Sequence, residues 1–145
     1  EISGGLVGSE MCIRDMVCVV RSEHPLKSDH PTMDEYLELE HIHISSRRGG
    51  LGTIDLALGK LGLKRNIVLR TQHYLSTPIV IANSDLAMTV PMSFANFLLA
   101  LGNVRILQLP IDTPDIETNL YWHESTDKDQ ANVWFRQFII DAHLS

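Results

Sequence analysis

The chain has 145 residues, 44% of them hydrophobic, and a formal net charge of -6. That length supports one domain with a real core, and no apolar run nears the roughly 20 residues that cross a bilayer. The acidic balance argues against this chain gripping DNA by itself, because displacing counterions from phosphates takes clustered Lys and Arg.

Two cysteines, Cys12 and Cys18, are too few for a disulfide framework and fit a reducing compartment. The first residue is Glu rather than Met, which points to a fragment. Residues 6–15, LVGSEMCIRD, resemble the in-frame translation of a sequencing-library adapter. On that reading residues 1–15 are non-native and the true chain joins at about Met16. The stretch is no signal peptide, since it lacks a basic start and a long apolar centre.

Met16–Arg21 (MVCVVR) has the composition of a short buried strand. A loop follows over 22–31, punctuated by Pro25 and Pro31. Thr32 and Glu35 form a capping box that opens a short helix, TMDEYLELE. Residues 41–46 (HIHISS) alternate, so Ile42 and Ile44 point one way while His41, His43 and Ser45 point the other. Two His at i and i+2 are a candidate metal pair. A structural zinc site wants four ligands and a catalytic one at least three, and no HExxH or CxxC is present. These imidazoles are therefore read as partly buried hydrogen-bonding groups, with no metal and no cofactor.

Residues 47–52 (RRGGLG) make a glycine-rich turn into a helix over 53–61, with Gly62 as its C-terminal cap and Lys60 and Lys64 near the negative end of its dipole. GGLG is neither GxGxxG nor GxxxxGKS/T, so a nucleotide site has little support. Arg47, Arg48 and free amides at a helix start would suit a carboxylate; a solvated surface loop is equally open.

Residues 65–91 read as strand, turn, short helix, strand. The first strand covers 66–72, a polar turn 73–76, and Thr77 is expected as N-cap with Pro78 at the first helical position. The second strand covers 86–90 and stops at Pro91. Two strands joined by a helix run parallel, and ligands bind beyond the carboxyl ends of such strands, here Gln72-His73-Tyr74 and Thr89-Val90. A strongly apolar helix over 92–101 ends at Gly102, and strands follow over 104–109 and 117–123. Asp127 with Gln130 resembles a capping box for a last helix over 128–142, whose Ala131, Trp134, Phe135, Phe138 and Ile139 share a face expected to make core contacts. Alternating strands and helices predict an α/β layered fold with a mostly parallel sheet.

Five stretches in order, VCVVRSEHPL, YLELEHIHIS, LGKLGLKRNIVLR, IVIANSDLAMTVP and LYWHESTDKDQANVWFRQFI, carry a resemblance. Over about residues 16–140 the chain resembles the effector-binding domain of LysR-type transcriptional regulators. The Trp-His pair, the following Asp and the Trp-x-Arg helix are similar to the branch with regulators of nodulation and aromatic degradation. The resemblance implies a periplasmic-binding-protein type 2-like fold, two α/β lobes joined by crossover strands with a small-molecule inducer in the cleft. One complete lobe would span 32–114, with crossover strands at 16–21 and 117–123. The helix over 127–142 would belong to an incomplete second lobe, so its Trp134, Phe135, Phe138 and Ile139 face would lack the sheet it normally covers and would dock elsewhere or stay exposed, leaving a fragment that aggregates or binds inducer weakly. The resemblance also implies a winged helix-turn-helix and a dimerising linker helix outside this chain, a cytoplasmic homo-oligomer, and no membrane or direct nucleic-acid contact by this segment. Matched to the family's pattern, Ser45 and Ser46 come from the turn after the first strand of the lobe, and Gln72, His73 and Tyr74 from the turn after the second, with Thr89 at a third strand end. Hydroxyls and amides there suit a carboxylate, and Tyr74 suits an aromatic ring; strand capping and turn filling are the alternative roles. A solute-binding protein of the same fold is the competing class. No GxSxG elbow or Walker motif points to an enzyme, and His41, His43 or His73 with Asp55 or Asp85 makes no triad by spacing.

Overall fold

The computed structural model describes residues 7–13, 16–45, 50–113 and 116–144. The chain runs β1 (Val7–Ile13), β2 (Met16–Arg21), α1 (Met33–Glu38), β3 (Glu40–Ile44), α2 (Thr53–Lys60) and β4 (Asn66–Thr71). It continues through α3 (Thr77–Ala82), β5 (Ala87–Pro91), α4 (Met92–Leu101), β6 (Val104–Leu107), β7 (Ile116–Trp122) and α5 (Gln130–Leu144). These elements divide into two compact units, one holding β2 to β6 with α1 to α4, the other β1, β7 and α5.

The larger unit is built on a five-stranded sheet of order β4-β3-β5-β2-β6. Strict alternation along the strands separates two cores. Val17, Val19, Ile42, Met88 and Val90 face Ile81 of α3 and Ala95 and Leu98 of α4. Cys18, Val20, Ala87 and Leu107 face Tyr36 of α1 and Ile54 and Leu58 of α2. Each fully buried Val, Leu, Ile or Met contributes about 1.5–3 kcal/mol. The result is a helix–sheet–helix sandwich, the layered α/β architecture expected from the element order.

Strand directions refine that expectation. β3 pairs parallel with both β4 and β5, so β4 and β5 are parallel but separated by β3. β2 pairs antiparallel with β5 and with β6. Four of the five strands thus run one way and β2 runs against them. The loop after β2 lets the chain turn back, and nothing in the order of elements records that reversal.

Local caps follow sequence chemistry at some ends and not at others. Thr32 and Glu35 form the expected capping box. Gly62, at φ +71, closes α2 through Gly62 N–H to Gly59 O and Leu63 N–H to Leu58 O, the paired bonds of a left-handed terminus that glycine adopts without a Cβ penalty. Thr77 is not an N-cap. It is the buried first residue of α3, after a 3-10 turn at Tyr74–Ser76, and its hydroxyl donates back to Tyr74 O at 2.6 Å. The cap of α5 is Asp129 rather than Asp127: its Oδ1 accepts from Asn132 N–H at 2.9 Å. β6 ends at Leu107, because Gln108 N–H turns away to Asp29 O at 2.8 Å.

In the smaller unit β1 and β7 pair antiparallel from Val7 with Trp122 to Ile13 with Ile116. β1 lies inside the stretch read as adapter-derived. Trp122 Nε1–H donates to Asp127 Oδ1 at 3.0 Å, and the Arg136 guanidinium lies 4.4 Å from the centre of the Trp122 ring. Arg136 also donates to Thr126 O and Asp127 O, tying α5 to the turn before it. The helical spacing predicts core contacts for the aromatic face of α5, and an incomplete lobe predicts that it stays exposed; the aromatic side chains are open. Trp134 is 66% exposed, Phe135 55% and Phe138 56%, with Trp134 and Phe138 stacked on each other. An apolar patch of this kind drives association. Trp134→Ser combined with Phe138→Ser is expected to reduce self-association of the 145-residue chain in light scattering, and unchanged association would show that this face is not the adhesive surface.

Candidate functional site

The carboxyl ends of β3 and β4 lie side by side. Ser45 N–H donates to Thr71 O at 3.0 Å, one residue beyond the paired Ile44 and Thr71. This bond brings Ser45 next to the start of the Gln72-His73 turn. Gln72 and His73 are exposed, and His73 N–H donates to Thr71 Oγ1 at 3.1 Å. Tyr74 opens the 3-10 turn, and its ring meets Phe94 of α4 edge-on at 5.2 Å. Ser46, with Arg47 and Arg48, lies outside the described residues. Thr89 sits apart from these groups. Its hydroxyl shares a 2.8 Å hydrogen bond with Tyr36 OH and is 3.5 Å from Arg65 Nη1.

Thr89 belongs to a buried polar cluster that sequence reasoning did not assemble. Arg65, immediately before β4, donates from Nε to Asp55 Oδ1 at 2.6 Å and from Nη2 to Asp55 Oδ2 at 3.0 Å. The side chains are 2% and 8% exposed. Nη2 also reaches His43 Nδ1 at 3.2 Å. A guanidinium only donates, so His43 Nδ1 accepts and the ring hydrogen sits on Nε2, which donates to Gly50 O at 3.2 Å. His41 Nε2 meets the carbonyl of Tyr36 at 3.0 Å and so carries the hydrogen there. Among the described residues His41 Nδ1 has no hydrogen-bond partner, which costs about 1–3 kcal/mol.

Charges follow this geometry. Burial pushes the His41 imidazole down to about 4. Burial also lowers His43, with Asp55 opposing and Arg65 and Arg70 assisting. Burial works to raise the Asp55 carboxyl, but the hydrogen bonds and charge of Arg65, with Gly52 N–H, hold it below the usual carboxylate range. Burial alone would lower Arg65, and its bond to Asp55 more than reverses that. A metal ion at His43 Nδ1 would have to displace the Arg65 Nη2 donor from that nitrogen. Among the described residues, His, Cys, Asp and Glu form no group of three able to hold a metal. Of the His and Asp pairings weighed from the sequence, the structure brings His43 Nδ1 to 3.5 Å from Asp55 Oδ2, whereas Asp85 pairs with Arg21 and His73 is exposed.

The sheet, its flanking helices and the aligned strand ends define an α/β lobe of the periplasmic-binding-protein type 2 kind, as in solved LysR regulatory domains. The sequence matches the LysR substrate binding domain over residues 3–143, and the chain belongs to that family. It is 29% identical over 125 residues to the HTH-type transcriptional activator NahR of Pseudomonas putida, covering 86% of this chain and 42% of NahR. The regulatory domain of MexT, a transcriptional activator in Pseudomonas aeruginosa, superposes with a TM-score of 0.76 at 28% identity, covering 91% of this chain and 66% of that one. The effector binding domain of QuiR in complex with shikimate shares the fold at 18% identity, with a TM-score of 0.66 and coverage of 90% and 63%. The chain spans less than half the length of the curated relatives it matches. No helix of the described residues is long and apolar enough to cross a membrane.

Removing one member of a buried ion pair costs about 3–5 kcal/mol because the other charge is stranded. Arg65→Met is therefore expected to lose that much in urea unfolding, and Arg65→Met with Asp55→Leu to lose clearly less than the two single changes added together; simple additivity would contradict a coupled pair. An unfolded His binds its proton near pH 6.5, whereas folded His41 binds it only near 4. Its contribution is complete above about 6.5 and is lost as pH falls towards 4, by about 3 kcal/mol in all. His41→Asn is expected to flatten the fall in urea midpoint between pH 7 and 4.5, and an unchanged slope would reject this assignment.

Proposed function

We propose that this chain is the ligand-sensing domain of a LysR-type transcriptional regulator and binds a small inducer, a carboxylate or an aromatic ring, at the carboxyl ends of its parallel strands. The observation that carries this reading is the Ser45 N–H to Thr71 O bond. It aligns two strand tips, where open α/β sheets receive ligands. Ser45, Gln72 and His73 supply polar contacts there, Tyr74 an aromatic surface, and Ser46 a further hydroxyl. Thr89 acts from behind that wall, through the cluster that occupies its hydroxyl. Shikimate, the ligand bound to QuiR, carries a carboxylate on a non-aromatic ring, which is in keeping with the carboxylate part of this reading.

Inducer acts by population shift. It binds one arrangement of the complete regulator better than another, and the difference in affinity drives the change. DNA is contacted by a segment outside this chain, in keeping with the net charge of -6. On this reading the complete protein is a cytoplasmic homo-oligomer with a regulatory rather than enzymatic role; the relatives it is similar to are transcriptional activators.

In the full-length regulator, Ser45→Ala with His73→Ala is expected to raise the inducer concentration for half response by about tenfold or more, the effect of losing one or two net hydrogen bonds. Operator binding in the absence of inducer, read by a gel shift, is expected to stay within about twofold. An unchanged induction curve would reject the site.

A further inference from the structure

We infer that His43, Arg65 and Asp55 form a buried positioning clamp that holds the backbone at Gly50 and Gly52, where the chain enters α2 beside the proposed ligand crevice. The inference rests on the ligand-sensing reading for its purpose, although its geometry is independent of any ligand.

The clamp grips both sides of Leu51. His43 Nε2–H holds Gly50 O at 3.2 Å, and Asp55 Oδ2 accepts from Gly52 N–H at 3.1 Å. Arg65 joins the two grips by donating to His43 Nδ1 and to both carboxylate oxygens of Asp55. Its donation selects the imidazole tautomer, and only that tautomer presents a hydrogen to Gly50. The fit is close: a Cβ at Gly52 would meet His43 Cε1 at 3.0 Å and Asp55 Oδ2 at 3.2 Å. Any larger residue there must shift one of the two grips.

Several elements face this imidazole with polar or charged groups. Asp55 comes from α2, Arg65 and Arg70 from the entry to and the body of β4, and Thr89 of β5 and Tyr36 of α1 complete the ring of partners around Arg65. The clamp therefore refers the start of α2 to β3, β4 and β5 at once. Hydrophobic side chains of similar volume would fill such a space at equal or better stability, but they would hold no backbone carbonyl or amide in place. His43 and Asp55 hold backbone directly and Arg65 acts through them, so all three are positioning residues.

Two measurements on the 145-residue chain without ligand test the clamp. The first is the imidazole nitrogen NMR spectrum of the unmodified protein at pH 7. The expected result is a neutral His43 ring with hydrogen on Nε2; hydrogen on Nδ1 overturns the proposal. The second compares His43→Gln, whose amide nitrogen replaces Nε2 as a donor, with His43→Asn, whose oxygen replaces Nδ1 but which has no donor that reaches Gly50. Exchange of the Gly52 amide is expected to rise by about tenfold in His43→Asn and to stay within about threefold in His43→Gln, while Ile42 and Ile44 amides keep their protection in both. Equal Gly52 exchange in the two variants overturns the clamp. Since neither measurement involves an inducer, loss of the ligand reading and loss of the clamp are separately visible.

Discussion

A guanidinium and a carboxylate buried together at the edge of the sheet set the terms for the rest of the larger unit. Arg65 and Asp55 are nearly free of solvent, and an ion pair is tolerable there only if its remaining hydrogen-bonding groups are also satisfied. Asp55 meets this by accepting from Gly52 N–H, and Arg65 by donating to His43 and towards Thr89. Each partner belongs to a different element. The same requirement that makes the pair admissible therefore fixes α2, β3 and β5 relative to the entry of β4.

The open side of the sheet is arranged differently. At the strand ends the polar groups of Gln72 and His73 face solvent, and order comes from backbone bonds and from aromatic contact. Tyr74 meets Phe94 edge-on, and Phe94 stacks with Phe97 at 5.8 Å. A rigid wall behind and exposed polar groups in front suit a site that must recognise a small polar ligand without itself being a folded core.

In the smaller unit one arginine does comparable work on the surface. Arg136 lies over the Trp122 ring and donates to two carbonyls of the preceding turn, while Asp127 receives the indole N–H. The Trp-His, Asp and Trp-x-Arg signature is thus in part a lock that fastens a helix to a strand. Its other aromatic, Trp134, lies on the exposed face of α5.

Much of the fold was legible in order and composition. Period-two alternation in HIHIS separated Ile42 and Ile44 from His41 and His43, and the structure puts them in opposite layers. The Thr32–Glu35 box and the Gly62 and Gly102 helix ends are local chemistry, complete within a few residues. Short-range caps were misplaced where several acceptors stood close together, as with Asp127 and Asp129, because spacing alone does not say which carboxylate reaches the first free amides. The direction of β2 and the position of β3 between β4 and β5 depend on pairing across long loops, which no local pattern encodes.

The sequence by itself determined the layered α/β class, the two-faced burial of the strands, and the strand-end turn that holds Gln72 and His73, while Ser45 enters through the family resemblance. The first three follow from periodicity and turn chemistry, which act within one element. Tertiary structure alone decided that Asp55, Arg65 and His43 meet and that Thr89 is bound to Tyr36 and Arg65. A charged residue's partner is chosen by which atoms come within about 3 Å in a low-dielectric interior, and that distance is set by packing between elements rather than by separation along the chain.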